Sequence, residues 1–532
     1  MSEAKQVEVK TASNGFYIGF NKIVAISSKV LMGIFIVLIA IFPSQANAFF
    51  QSAKGFVLFH FATWYMYIVL VFIGSCFGLA LWPATGRQRL GKVVDKPEFS
   101  RLSWFSMLFG AGIGIGMLTF ATGEPIYQFN NNPDIIKGLA ESRSPEAVKS
   151  AYEWSFMHWG LTAWSCYALV GLALAFFAYT KDQPLTIRSA LLPLFGNRLS
   201  GLLGHVIDIV AVFATILGIS VTIGYGVSQF ASGLHNISGA SWMMEPDGKP
   251  ALIATLLCLL VILFASTLSA LSGVGRGIKW LSNLNMGLSF FVILFLIVFG
   301  ATAFAIKTFF AGIWDYILAF PRMSTEIWKD VGTDKSKALA QWQGDWTIFY
   351  WAWWIAFAPF VGLFFARISK GRTIREYILG TLIVPSVMCF VWFAAAGGTA
   401  IDMELRGIAN GQIIDADISS QLFTTINLML SPILAKLMSL IIVILLMTYL
   451  VTSADSAVLV ITLIASGGVR SVNVKQHIVL WGLILGLAIA ALLVAGGLDA
   501  INAAMIVAAL PFSFVMGLMA LSLIIGVVKN RA

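Results

Sequence analysis

The chain has 532 residues, 59% hydrophobic and 11% charged, with a mean hydropathy of +0.87. That composition excludes an ordinary soluble domain and describes a polytopic membrane protein. The net charge of +9 does not point to nucleic acid, because the basic residues fall in short clusters between apolar runs.

Runs able to cross about 30 Å of hydrocarbon occur near 23–43, 60–83, 103–129, 153–179, 203–233, 249–270, 279–306, 346–369, 376–396, 429–465, 475–496 and 503–527, which makes twelve. The first ends in PSQANA, which mimics a signal-cleavage site, but the long segment ahead of its apolar core predicts a retained membrane helix. Arg87, Arg89, Lys92, Lys96 and Arg101 load the loop 84–102, and Lys181, Arg188 and Arg198 load 180–202. Arg276 lies in the next even-numbered connection, and Arg367, Lys370, Arg372 and Arg375 in the one after the eighth span. The alternate loops are mixed or acidic, with Asp402, Glu404, Asp415 and Asp417 the clearest group. The positive-inside rule then puts both termini in the cytoplasm, and twelve spans fit that parity. Cys76, Cys166, Cys258 and Cys389 lie in apolar runs and read as small buried hydrophobes.

Within the third span, Phe109 to Gly116 reads FGAGIGIG. Glycine costs about 1 kcal/mol in a helix interior, so the cluster invites an opened turn. Gly112 and Gly116 also fit a small-xxx-small packing surface. A second anomaly at similar depth favours the opened turn: the tenth span contains Tyr449, Thr452, Ser453, Asp455 and Ser456. An aspartate inside a span is expensive and marks a pathway or a partnered site. Freed carbonyls facing these hydroxyls suit a hard monovalent cation, and the half-helix beginning near Met117 directs N–H groups at an anion such as a carboxylate.

The fourth span carries Trp159, Trp164 and Tyr167, which on one regular helix occupy an arc of about 140°. Residues 307–345 are too polar to span, and their stretch TFFAGIWDYILAF predicts a helix along the outer surface or a re-entrant piece. The eighth span, WTIFYWAWWIAFAPFVGLFFARISKGRTIREY over 346–377, is aromatic at one end and cationic at the other. Trp342 and Trp346 suit a membrane-surface belt. Trp351, Trp353, Trp354 and Phe357 lie about 8 to 17 Å deeper, beyond a belt. Indole faces attract cations, so Trp354 level with the aromatics of the fourth span predicts a cage for a positively charged ligand.

The run at 346–380, together with GAGIGIG followed by GEP, FMHWG with the later Trp164 and Tyr167, GVGRGIKWLSNLNM and TSADSA, resembles the betaine/choline/carnitine transporter (BCCT) family over nearly the whole chain. The resemblance implies an all-α membrane protein of twelve transmembrane helices, built as a five-plus-five inverted repeat (leucine-transporter-type fold) preceded by two extra helices. It divides the chain into a cytoplasmic tail 1–22, peripheral helices and loop 23–102, a first repeat 103–306, an extracytoplasmic connection 307–345, a second repeat 346–527 and a tail 528–532. It also implies secondary uptake of an onium zwitterion, usually with sodium, by a homotrimer in the bacterial cytoplasmic (inner) membrane.

Carried over by position, Trp159, Trp164, Tyr167 and Trp354 resemble the family's box around the quaternary group, and Phe357 stands where betaine carriers have a further tryptophan. Sodium would take the carbonyls of Gly110, Ile113 and Tyr449 and the hydroxyls of Thr452 and Ser453. A second sodium would involve Thr215 and Phe360, but its other threonine is Ile219 here, which offers no oxygen. Met286 occupies the place of an arginine in sodium-independent exchangers, which favours symport over exchange. The ending VVKNRA is shorter than the charged tails of osmosensing members, and the expectation is weaker osmotic activation. An exchanger or an amino-acid carrier of the same fold is the alternative. A channel or a membrane-embedded enzyme is the rival class, although His60, His158, His205, His235 and His477 are scattered without paired ligands.

Overall fold

The computed structural model of the chain describes residues 6–110, 114–272, 279–468 and 474–530. Among these residues the protein is helical, and β structure is confined to three isolated bridges. The peripheral helices are α1 (Lys22–Ile41) and α2 (Pro43–Leu81). Then come α3 (Arg101–Gly110), α4 (Gly114–Asn130), α5 (Ala147–Trp159) and α6 (Leu161–Ala175). Next are α7 (Leu202–Ser238), α8 (Leu252–Ser272), α9 (Lys279–Phe299) and α10 (Thr302–Thr325). The chain finishes with α11 (Phe349–Ile368), α12 (Ile374–Leu405), α13 (Pro432–Ala465) and α14 (Val474–Lys529).

Local sequence sets several of these ends. Asn21 accepts from the Val24 N–H to start α1, and Thr373 accepts from Glu376 N–H to start α12. Pro43 and Pro432 open α2 and α13, where the missing N–H costs nothing. α7 stops at Gly239, whose φ of 71° lies in the left-handed region that glycine adopts freely.

Eleven helices among the described residues are long and apolar enough to cross a membrane. The last two expected runs are both present within Val474–Lys529, as two helices that meet at the non-helical Gly496 and Gly497, with φ of 66° at the second glycine. The described helices differ from the sequence expectation in three places. The interval before the second expected run is helical, so α2 extends over 39 residues. The expected run 279–306 stops at Phe299, and residues from Thr302 belong to α10, which is itself long and apolar enough to cross. The fourth expected run is two helices, because Gly160 is non-helical (φ −92°, ψ −136°). A β-carbon there would lie 2.5 Å from the Phe156 carbonyl oxygen and 2.8 Å from the Phe390 ring.

Burial sorts the helices into a centre and a periphery. Within the apolar windows, 94% of the segment Asp334–Ile368 and 89% of Ala147–Thr180 is buried, against 33% for Leu252–Leu271 and 22% for Trp280–Phe299. α11 packs most extensively on α6, while α7 packs against α13 and α14. Close approach depends on small residues at the crossings. A β-carbon on Gly362 would sit 2.6 Å from Val170, and one on Gly397 would sit 2.5 Å from Pro125. Two aromatic-rich segments of the sequence are thus the most buried of the candidate spans, packed against each other.

Candidate functional site

The α6–α11 packing brings the ring-bearing residues together. Trp159 and Trp354 meet edge to face with centroids 5.0 Å apart, and Tyr167 lies 6.2 Å from Trp354 and 6.3 Å from Phe357. Trp164 joins through Tyr167, at 5.7 Å, and stacks parallel to Phe365 at 6.4 Å. Trp159, Trp164, Tyr167 and Trp354 are fully or almost fully buried. The arc expected from one regular helix does not apply, because Gly160 separates Trp159 from the helix that carries Trp164 and Tyr167. The rings still converge, through packing on α11.

A second group of rings continues from the first. Trp353 stacks on Trp354 at 4.9 Å, and Tyr350 stacks on Trp354 at 5.4 Å. Phe120 of α4 touches Trp159, Tyr350 and Trp353 at 5.7 to 5.8 Å and Tyr225 of α7 at 5.0 Å. Gly116 leaves room for two of these rings: a β-carbon would be 3.0 Å from Trp159 and 3.3 Å from Trp353. Trp342 departs from the surface-belt expectation. It is 3% exposed and packs on Trp154 at 4.8 Å, whereas Trp346 is half-buried against Tyr127 at 4.2 Å.

Beside these rings lies a buried polar network that sequence reasoning missed. Glu124 Oε2 accepts from Trp159 Nε1 and from the Tyr350 hydroxyl, each at 2.6 Å. Its Oε1 is 2.5 Å from His158 Nδ1, and His158 Nε2 is 3.0 Å from the Thr347 hydroxyl. Trp354 Nε1 donates to the His158 carbonyl at 2.9 Å. Glu124 and His158 are both fully buried. The signal was present: Glu124 is a carboxylate inside an apolar run, the same anomaly that singled out Asp455.

The hydroxyl-bearing region is on α13. Thr452 Oγ1 donates to the carbonyls of Thr448 and Tyr449 at 3.0 and 3.1 Å and accepts from Asn285 Nδ2 at 3.1 Å. The Tyr449 hydroxyl pairs with Ser289 at 2.8 Å. Tyr449 also faces the start of α4, since a β-carbon on Gly114 would fall 2.1 Å from its ring. Ser453 is half-buried one residue on. Gly110 is the last described residue of α3, and Ile113 lies outside the described residues, as do residues 273–278 of GVGRGIKWLSNLNM. Asp455 is buried and accepts from Ser269 at 2.7 Å and Ser456 at 3.2 Å. A small pocket beside it, lined by Ser266, Thr267 and Gly482 among others, has room for about one water molecule.

Thr215 is buried and donates to its own helix, to the Ala211 carbonyl at 2.7 Å. Phe360 packs on Phe357 at 5.0 Å. A β-carbon on Gly218, three residues beyond Thr215, would be 3.0 Å from Ala356. α7 and α11 therefore touch at the level of these residues. Ile219 is fully buried. Met286 is next to Asn285, the residue that bonds Thr452. The four cysteines are free and buried.

Comparison with known proteins gives a consistent result. The family model for betaine/carnitine/choline family transporters matches residues 23–532. The chain is 38% identical over 490 residues to the glycine betaine transporter OpuD of Bacillus subtilis (strain 168), covering 92% of this chain and 91% of that one. It is 34% identical to the ectoine/hydroxyectoine transporter of Virgibacillus pantothenticus, covering 92% of this chain and 93% of that one. It is 33% identical to the osmo-independent choline transporter BetT1 of Acinetobacter baylyi (strain ATCC 33305 / BD413 / ADP1), covering 94% and 92%.

Proposed function

Since the chain belongs to the betaine/carnitine/choline transporter family, and is a multi-pass membrane transporter rather than an enzyme, we propose that it imports a quaternary ammonium or related onium zwitterion by sodium-coupled symport. The observation that carries this reading is the buried Trp159–Trp354 pair, closed by Tyr167 and Phe357. A methylated cation has no N–H to offer. It is recognised by ring faces and by exclusion of water, each ring contributing about 0.5 to 2 kcal/mol.

In this reading the cationic head lodges among Trp159, Trp164, Tyr167, Trp354 and Phe357. The carboxylate sits at the start of the second half of the third span, near Met117, where the N-terminal N–H groups of a helix favour an anion. Sodium sits between the third span and α13, on carbonyls of Gly110, Ile113 and Tyr449 and hydroxyls of Thr452 and Ser453. Thr215 and Phe360 form the place for a second ion, which Ile219 weakens. Met286 in place of a cation beside this region supports symport, because no fixed charge stands in for the ion. Each sodium entering down ~100 mV supplies about 2.3 kcal/mol, which sustains roughly fiftyfold accumulation. We further assign the chain twelve membrane crossings in a five-plus-five inverted repeat, with α10 lying along the outer surface, both termini cytoplasmic, and a homotrimer in the cytoplasmic membrane.

The test is thermal-shift and binding measurement on the full chain with glycine betaine, choline, carnitine, dimethylsulfoniopropionate and ectoine, each in sodium and in potassium. At least one onium compound is expected to raise the melting temperature in sodium and much less in potassium. Binding of unmethylated amino acids alone would transfer the chain to the amino-acid-carrier reading.

A further inference from the structure

Glu124 has no part in the transport scheme above, yet it is the most highly connected buried side chain beside the rings. Among the described residues its one basic neighbour is His158. An indole N–H donates only, so Oε2 serves as acceptor to Trp159 at 2.6 Å, and the same oxygen accepts from Tyr350 at 2.6 Å. The other oxygen meets His158 Nδ1 at 2.5 Å, and the carbonyl of that histidine receives Trp354 Nε1 at 2.9 Å. Both indoles of the central pair are therefore fixed within one step of a single carboxyl group. Gly116, Phe120 and Glu124 recur every four residues and form one stripe of α4. That stripe meets Trp159 with a backbone surface, a ring and an acceptor in turn.

We infer that Glu124 is a positioning residue for the onium site: its carboxyl group sets the angle of the Trp159 and Tyr350 rings and joins α4, α5 and α11 into one body. The inference rests on the reading of Trp159 and Trp354 as substrate walls. Three donors already occupy the carboxyl oxygens, so Glu124 acts through the rings and not by touching the substrate.

The substitutions Glu124→Leu and Glu124→Gln separate this role from packing and from charge. Leucine fills the space and accepts nothing. Glutamine keeps one oxygen for Trp159 and Tyr350 while its amide donates to His158 Nδ1, a switch of tautomer that the Thr347 contact permits. With radiolabelled glycine betaine or choline and the full chain in proteoliposomes, Glu124→Leu is expected to raise KM by about tenfold or more, with maximal rate changed less than about twofold. Glu124→Gln is expected to raise KM only about threefold. Equal losses in the two variants would make charge, not orientation, the function and overturn the inference, as would an unchanged KM in Glu124→Leu. Should Glu124→Leu not fold, Tyr350→Phe, which removes one donor and leaves the carboxyl group, is expected to raise KM about threefold at an unchanged melting temperature. An unchanged KM there overturns the inference equally. Wild-type chain that takes up no compound of the onium panel would defeat the functional reading and this inference with it. Wild-type uptake with indifferent variants would defeat the inference alone.

Discussion

The ring-lined region and the hydroxyl-lined region differ in how their polar groups are satisfied. Around the rings, the indole N–H groups of Trp159 and Trp354 are bonded to protein and the side chains are locked by neighbours on three helices. On α13, Thr452 spends its proton on its own helix and holds Asn285 with a lone pair. The first region is preorganised, so little entropy remains to be lost when a rigid onium head enters. The second has oxygens that are present but already engaged, and a cation must compete with those internal bonds. On the proposed reading, substrate selectivity would be built into the fold, while ion affinity would be modest and sensitive to small shifts of the third span against α13.

Replacing a wall of the rigid region should have the largest effect. Trp354→Leu is expected to lower uptake efficiency by about thirtyfold, the equivalent of about 2 kcal/mol of ring–cation attraction, while Trp346→Leu changes it less than about twofold. Equal losses measured in proteoliposomes would reduce both tryptophans to packing. The double substitution Thr452→Ala with Ser453→Ala is expected to raise the sodium concentration for half-maximal uptake by about tenfold at an unchanged substrate preference. An unaltered sodium dependence would remove the ion from α13. Gly116→Ala would place a methyl 3.0 Å from Trp159. The ring must yield by a few tenths of an ångström, and KM should rise about threefold while the sodium dependence stays put. A shift in sodium dependence instead would show that the two regions are not separable. The smallest effect is expected from Phe357→Trp, which retains an aromatic face and should alter the ranking of the onium panel by about twofold in competition assays.

The apolar runs and their charged connections were legible because membrane spans are written in long stretches of hydropathy, and the aromatic helices were legible because so many rings at such depth have no belt to serve. Three features were not. The division at Gly160 is invisible to hydropathy, since a glycine between apolar residues reads the same whether the helix continues or stops. The burial of Trp342 depends on Trp154 of α5, which is distant in sequence, and on a turn of the chain that brings Trp328 back against it. The role of Glu124 was obscured by its neighbours: in GEP the proline draws attention as a helix breaker, while the carboxylate gives no spacing clue to its partners on two other helices.

Gly160 carries one more consequence. Because Trp159 and Tyr167 hang from separate helical segments joined at a single residue without a side chain, their relative placement depends on the backbone at that joint as well as on packing against α11. A lineage can thus retune the gauge of the enclosure through substitutions at Phe390 or Tyr316, whose side chains crowd that joint, while every aromatic wall stays the same. Relatives with identical rings and different cargo are what such a joint would produce.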